Sequence, residues 1–215
     1  MKINSKTKIV SQNIILVPYT EKHVPKYHEW MKSEELQVLT ASEPLTLEQE
    51  YDMQKLWQED EDKCTFIILD KQKYEVDNNE IDAMIGDTNI FVKDLALGEI
   101  EIMIAEEAAR GRKFGWEAVI LMLIYGIDFI ELKKYEAKIS FSNERSINMF
   151  TKLGFKEESR SIIFNEITFA KTVTNEWYLA ILDSMKRILL HAYIIKTRGS
   201  NRKSVTQVRA LCTCA

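Results

Sequence analysis

The chain has 215 residues, 46% hydrophobic and 29% charged, with a formal net charge of −4, values ordinary for one soluble globular domain with a sizeable core. Its three cysteines are odd in number and lack zinc-finger spacing, so no disulfide framework and no metal site is expected, and a reducing cytoplasmic or nuclear setting fits. No secretory signal is expected, because the first residues lack an apolar h-region, and the longest late apolar run, Ile188 to Ile195, is too short and interrupted to span a bilayer.

In chain order, Ile14–Val17 reads as a short apolar strand. Helices are predicted over Glu21–Met31 and Leu47–Trp57, separated by the turn residues Ser42-Glu43-Pro44. Thr65–Leu69 reads as a buried strand. The polar stretch Asp70–Asp82 is expected to be a loop and not a calcium site, because the glycine and the closing glutamate of an EF-hand are missing. Further strands are predicted at Met84–Val92, Glu99–Ile104, Tyr135–Ser140, Phe155–Ser161 and Ile163–Val173. Helices are predicted at Gly115–Phe129, Ser146–Leu153 and Trp177–Lys196. Interleaving of this kind implies an α/β (α+β) domain, a mixed sheet covered on both faces. The domain is expected over residues 1–180. Residues 181–215 would form the end of a terminal helix and a basic flexible tail, loose from about Thr197 and dispensable for folding and cofactor binding. From Ser184 on there are seven Lys/Arg and no acidic residue, which leaves a charge of −11 on the first 183 residues. An acidic body favours cationic partners such as protein amines. The basic tail is either a solvated end or an attachment to an acidic polymer or anionic surface.

Residues 97–115, LGEIEIMIAEEAARGRKFG, are the most informative stretch. An alternating strand runs into a cationic, glycine-bearing turn, and the turn opens a long apolar helix. The first amides of a helix have no internal partner and carry the positive end of its dipole, so a phosphate placed there is bound by the backbone.

Arg110-Gly111-Arg112-Lys113-Phe114-Gly115 resembles the acetyl-CoA-binding motif of the GNAT superfamily of N-acetyltransferases, Arg/Gln-x-x-Gly-x-Gly/Ala, with Lys113 in place of the middle glycine. A second GNAT hallmark follows: a strand, Asn143, a short helix and Leu153-Gly154-Phe155. Asn143 can cap that helix, and Ile147, Phe150 and Leu153 recur at helical spacing. Residues 10–180, including LVPYTEKHVPKYHEWMKSEELQVLTASEPLTLEQEY, resemble the N-acetyltransferase 9-like branch of that superfamily.

The resemblance implies a mostly antiparallel central sheet whose central strands, Glu99–Ile104 and Tyr135–Ser140, splay apart to admit the pantetheine arm of acetyl-CoA. It implies that Arg110 to Gly115 hold the pyrophosphate, that backbone amides around Met103, Ile104 and Ala105 meet the pantetheine and thioester, and that Asn143 belongs to the cofactor site. Glu99 and Glu101, two apart on a strand, share a face, and one of them is the expected proton acceptor if that face meets the acceptor groove. Glu43 is an expected anchor for a cationic peptide. Many GNAT enzymes carry a tyrosine where this chain has Phe150, which cannot donate a proton. His23 and His28 are five apart, a poor metal pair, and packing roles are expected for both.

Two functions remain open from the sequence. One is direct acetyl transfer from acetyl-CoA to a protein or peptide amine in a ternary complex. The other is a GNAT-fold binding protein with weak or no catalysis, favoured by Lys113 and Phe150. The resemblance suggests tubulin or microtubules as partner, with no nucleic acid. The final Cys212-Thr-Cys-Ala215 satisfies a C-a-a-X pattern formally but lacks its aliphatic pair.

Overall fold

The computed structural model describes residues 1–94, 96–188, 193–198 and 202–207. Among the described residues ten strands form one sheet, ordered β10-β9-β1-β2-β3-β4-β5-β6-β8-β7. The first six are β1 Thr7–Val10, β2 Ile14–Pro18, β3 Lys63–Asp70, β4 Met84–Val92, β5 Leu97–Ile104 and β6 Lys134–Ser140. They are followed by β7 Lys156–Ser161, β8 Glu166–Thr172, β9 Tyr193–Arg198 and β10 Arg202–Gln207. All neighbours are antiparallel except β5 and β6.

Alternation along the strands divides the core into two layers, as period-2 geometry requires. Ile14, Leu16, Cys64, Phe66, Ile68 and Ile100 face the layer formed with α6 (Phe114–Tyr125), α7 (Glu144–Lys152) and α8 (Asn175–Ile188). Ile15, Val17, Ile67, Leu69 and Met103 face the opposite layer, with Tyr27 and Trp30 of α1 (Val24–Met31) and Leu36 of α2 (Glu34–Thr40). Tyr51, Met53 and Trp57 of α3 (Leu47–Glu59) pack against that second layer. Helix α6 is apolar all round, with ten of its twelve residues buried, which is how a helix in the middle of a core reads.

The predicted helix from Glu21 begins as a 3-10 turn, Glu21–His23. Thr20 and His23 close a capping box there, and α1 starts behind it with Pro25 in its first turn. His23 is fully buried and bonds Glu80. The stretch expected to be a loop, Asp70–Asp82, holds two short helices, α4 Lys71–Asp77 and α5 Glu80–Ala83. Asp70 accepts from the amides of Gln72 and Lys73, and Asn79 from those of Ile81 and Asp82, so capping residues organise a segment with no apolar periodicity. Helix α6 ends earlier than predicted, and Gly126–Ile130 continues it as a π-helical turn. A Cβ on Gly126 would lie 2.3 Å from the Tyr135 hydroxyl, which donates to the Leu123 carbonyl.

The terminal helix also ends earlier than the predicted Lys196: it is described over Asn175–Ile188, and Tyr193 already lies in β9. Thr197, where the loose tail was expected to begin, lies in β9, which pairs with both β1 and β10. Backbone pairing across that edge supplies partners that apolar content alone did not suggest. Cys212 to Ala215 lie outside the described residues. Among the described residues no helix is long and apolar enough to cross a membrane.

Candidate active site

Strands β5 and β6 run parallel and pair at only three positions, Leu97–Lys134, Gly98–Tyr135 and Glu99–Glu136. Beyond Glu99 the ladder to β6 ends while β5 stays on β4 as far as Gly86–Ile104. A gap therefore opens along one edge of Ile102–Ile104. Of the three amides expected to face it, that of Ala105 instead donates to the Ile85 carbonyl at 2.9 Å. Antiparallel alternation then turns Met103 toward β4 and leaves Ile102 and Ile104 facing the gap. The Ile104 carbonyl, on the same edge, accepts from Arg110 Nε at 3.0 Å. The amide of Ile102 is a contributor that was not foreseen.

The chain leaves β5 through a 3-10 turn, Glu107–Ala109, and enters the cationic turn. Gly111 has φ +76° and Lys113 φ +65°, so two left-handed residues flank Arg112. Lys113 is the N-cap of α6 and has no side-chain capping bond. The position where the family motif has glycine thus adopts a backbone conformation that glycine favours, and Lys113 adopts it at a cost of roughly 1–2 kcal/mol. The first bond from inside the turn is Glu117 N–H to the Lys113 carbonyl, so the amides of Phe114, Gly115 and Trp116 are free of intrahelical partners. Gly115 faces Ile104 and Ile102 of β5 at ordinary contact distance.

The two arginines do not stand free. Arg110 grips the Glu35 carboxylate of α2 with Nη1 at 3.0 and 3.1 Å, besides its bond to Ile104. Arg112 pairs with Asp70 at 3.1 Å and lies over the Phe114 ring. Lys113 is exposed and has no carboxylate partner among the described residues. Free helix-start amides, one unpaired cation and two pairable arginines next to a backbone gap fit a phosphorylated, extended cofactor.

Glu99 and Glu101 do share a face, the one covered by α1 and α3. Their situations differ. Glu99 is buried and engaged by Lys93 at 2.5 Å and Lys138 at 3.6 Å. Glu101 is exposed, and its carboxylate accepts from Asn89 Nδ2 at 2.9 Å. Asp87, which pairs with Met103 across β4 and β5, lies on the same face; burial, reinforced by the charge of Glu101, pushes its carboxyl up to about 8. Nothing in the strand sequence MIGDTNIFV marks Asp87 as special. Trp30 of α1 donates to Glu106 just past β5, at 2.9 Å, which holds α1 over this end of the strand.

Asn143 caps α7, accepting from Ser146 N at 3.1 Å. Phe150 points into the core and meets Phe155 edge-on with ring centres 5.0 Å apart. Glu43 is exposed in the stretch between α2 and α3, away from any described partner. Cys64 is wholly buried in β3, where burial raises its thiol pKa.

Comparison with known proteins agrees with this geometry. Residues 13–156 match the family model described as an acetyltransferase (GNAT) domain. The human alpha/beta-tubulin-N-acetyltransferase 9 is 51% identical over 194 residues, 87% of this chain and 94% of that protein. An N-acetyltransferase 9-like protein of Nematostella vectensis is 55% identical over 172 residues, 78% of this chain and 87% of that protein. Among solved structures, the spermidine N-acetyltransferase of Vibrio cholerae in complex with CoA and spermine superposes with a TM-score of 0.63 at 16% identity. That likeness covers 82% of this chain and 99% of that one and bears on the fold alone. Fold, gap, turn and relatives agree: the chain belongs to the GNAT family and is an acetyl-CoA-dependent N-acetyltransferase.

Proposed function

We propose that the chain transfers the acetyl group of acetyl-CoA to an amine of a protein, with tubulin as the acceptor, by direct attack in a ternary complex. The observation that carries the reading is the end of the β5–β6 ladder at Glu99–Glu136 on the strand that leads into a turn with left-handed Gly111 and Lys113 at a helix start. That arrangement offers one continuous site, backbone donors for an extended arm and a cationic end for phosphates. Lys113 and the helix-start amides meet the phosphates first. Arg110 and Arg112 join by exchanging Glu35 and Asp70 for phosphate oxygens. Amides of Ile102 and Ile104 are the donors toward the arm and the thioester oxygen, and the end of β6 before Asn143 forms the other side of the gap.

Tubulin enters because the relatives at about half identity bear that substrate in their names. The charge of −11 on the first 183 residues suits a cationic acceptor, and Glu43 on its exposed loop suits an anchor for one. Direct attack is favoured over an acyl-enzyme because Cys64, the one cysteine among the described residues, is sealed in β3 with its thiol held protonated. Of the two glutamates, Glu101 is the accessible one and suits passage of a proton to solvent, while Glu99 is engaged with two lysines. A tubulin substrate implies work in the cytoplasm.

Calorimetry with acetyl-CoA, then mass spectrometry of purified tubulin incubated with protein and acetyl-CoA, tests the reading. Binding followed by a gain of one acetyl group at a defined amine supports it. Binding without transfer would favour a GNAT-fold binding protein.

A further inference from the structure

Five buried side-chain polar atoms have no hydrogen-bond partner among the described residues, and four of them belong to one place. They are the Tyr19 hydroxyl, His28 Nδ1, one Glu50 oxygen and Asp87 Oδ1. Tyr19 follows β2, His28 is on α1, Glu50 on α3 and Asp87 on β4, so the place lies between the sheet and the helices over it. Tyr19 and Tyr27 have ring centres 5.2 Å apart, and both feel the charges of Asp87 and Glu50. His28 Nδ1 lies 4.0 Å from the other Glu50 oxygen. Tyr19, Glu50 and Asp87 are each more than nine-tenths buried. Proteins rarely leave buried polar atoms unpaired, and a cluster of them calls for a ligand or water. Its acceptors are mostly carboxylate and phenol oxygens, the partners an ammonium takes.

The cluster also borders the reaction centre. Asp87 stands opposite Met103, between Ile102 and Ile104 whose amides face the gap. Beside Asp87, Gly86 brings the strands together: a Cβ there would lie 2.0 Å from the Met103 carbonyl oxygen. Exposed Glu101 stands at the solvent side and raises the Asp87 carboxyl electrostatically.

We propose that Asp87 takes the proton from the acceptor's ammonium, in a polar pocket that it forms with Tyr19, Glu50 and His28. This rests on the acetyl-transfer reading and names the group that carries its first step. The ammonium N–H bond breaks and its proton passes to an Asp87 carboxylate oxygen, leaving a neutral amine. The amine lone pair attacks the thioester carbonyl carbon, the C–N bond forms and the C–S bond breaks. The second amine proton goes with the departing sulfur, giving the amide and the free thiol. Asp87 returns its proton to water past Glu101. A carboxyl titrating at about 8 is close to an α-ammonium at roughly 7.7–8.0, so the transfer is nearly level. The titratable groups near Asp87 are the Glu101 carboxylate from β5, Tyr19 after β2 and Tyr27 from α1, and Glu50 of α3 acts on both tyrosines.

The experiment measures kcat for acetylation of purified tubulin from pH 6 to 10 for wild type, Asp87→Asn and Glu101→Gln, with acetyl-CoA affinity by calorimetry. Wild-type kcat should rise through a pKa of about 8. Asp87→Asn should lower kcat by about 10²–10⁴-fold, erase that rise and keep acetyl-CoA affinity. Glu101→Gln should move the rise to lower pH, because a like charge is gone. A folded Asp87→Asn within tenfold of wild type, with the same pH profile, overturns the proposal. So does an unmoved profile in Glu101→Gln, which decides the matter even if Asp87→Asn fails to fold. A wild type that binds acetyl-CoA and leaves tubulin unmodified overturns the acetyl-transfer reading instead, and the role of Asp87 falls with it.

Discussion

Gly111 and Lys113 turn left-handed on either side of Arg112, with φ of +76° and +65°. Only the first of them is a glycine, and a Cβ placed on it would meet nothing within 4 Å. Substitutions at the two positions therefore act through the backbone and in opposite directions.

Lys113→Gly should raise stability by about 1 kcal/mol, or ~2–4 °C in Tm, because it removes left-handed strain from a non-glycine residue. Gly111→Ala should lower stability by a similar amount. Lys113→Ala keeps the Cβ and loses the charge, so it should weaken acetyl-CoA binding without the gain in Tm. Thermal melts and calorimetry on the three variants separate conformation from charge.

Gly86→Ala should be among the most damaging single changes in the sheet. Its Cβ would sit 2.0 Å from the Met103 carbonyl oxygen and 3.0 Å from Ile104 Cα, both backbone atoms of β5. The strands must separate, at a cost of about 3 kcal/mol. Denaturant melts should show that loss, and turnover should fall more than stability does, because the amides of Ile102 and Ile104 move with β5.

Stability should depend on pH through Asp87. Its carboxyl ionises at the ordinary 3.8 when unfolded and at about 8 when folded. Between those values the unfolded chain gives up a proton that the folded chain keeps, so stability declines as pH rises from about 4 and levels off above about 8. Asp87→Asn, which cannot ionise, should escape the decline. Its Tm advantage over wild type should be small at pH 4 and correspond to a few kcal/mol at pH 9. Equal Tm differences at both pH values would show that Asp87 is not buried as described.

Glu80 works in the opposite sense. The hydrogen bond from buried His23, with help from Lys22, lowers its carboxyl from 4.5 to about 2. Its contribution is complete above about pH 4.5 and is lost as pH falls toward 2. Glu80→Gln should therefore lower the melting temperature at pH 6 and make little difference near pH 2.

Glu99→Gln should cost about 1–2 kcal/mol by breaking the contacts with Lys93 and Lys138, and leave the rate of transfer within about tenfold. Its measured effect should appear in Tm rather than in kcat.

Strands buried on both faces, such as β3 and β4, are legible as short runs bounded by polar segments, because one face meets each core layer. The cationic turn is legible because strand, glycine and helix follow one another in the chain. Elements held by contacts distant in sequence are not. Strand β1 is four residues long and is defined by pairing with β2 and β9. Helix α2 buries only Leu36, so it has no apolar stripe to read. Helices α4 and α5 are organised by capping and by contacts of Tyr74, Glu80 and Ile81 with segments distant in the chain. In the site, the partners of Arg110 and Arg112 lie 75 and 42 residues away in the chain, and no spacing rule reaches that far. Asp87 reads as one acid inside a buried strand; its unusual state comes from burial under segments distant in the chain and from the charge of Glu101.

Helix α6 contains a buried acid, Glu117, that reaches out of the core rather than into the site. Its carboxylate accepts from Ser11 Oγ at 2.5 Å, Asn13 N at 3.0 Å and Asn13 Nδ2 at 2.8 Å, at the turn between β1 and β2. Charge-assisted bonds of this kind are short and directional. The free amides at the start of α6 are thus aimed by a turn more than a hundred residues upstream. Ser11 and Asn13 behave as the mounting of an instrument whose lens is elsewhere: loosen them and the helix start tilts. Changes such as Asn13→Ala should be felt as weaker acetyl-CoA binding before any loss of overall structure. A search for cofactor residues confined to the motif would pass over them.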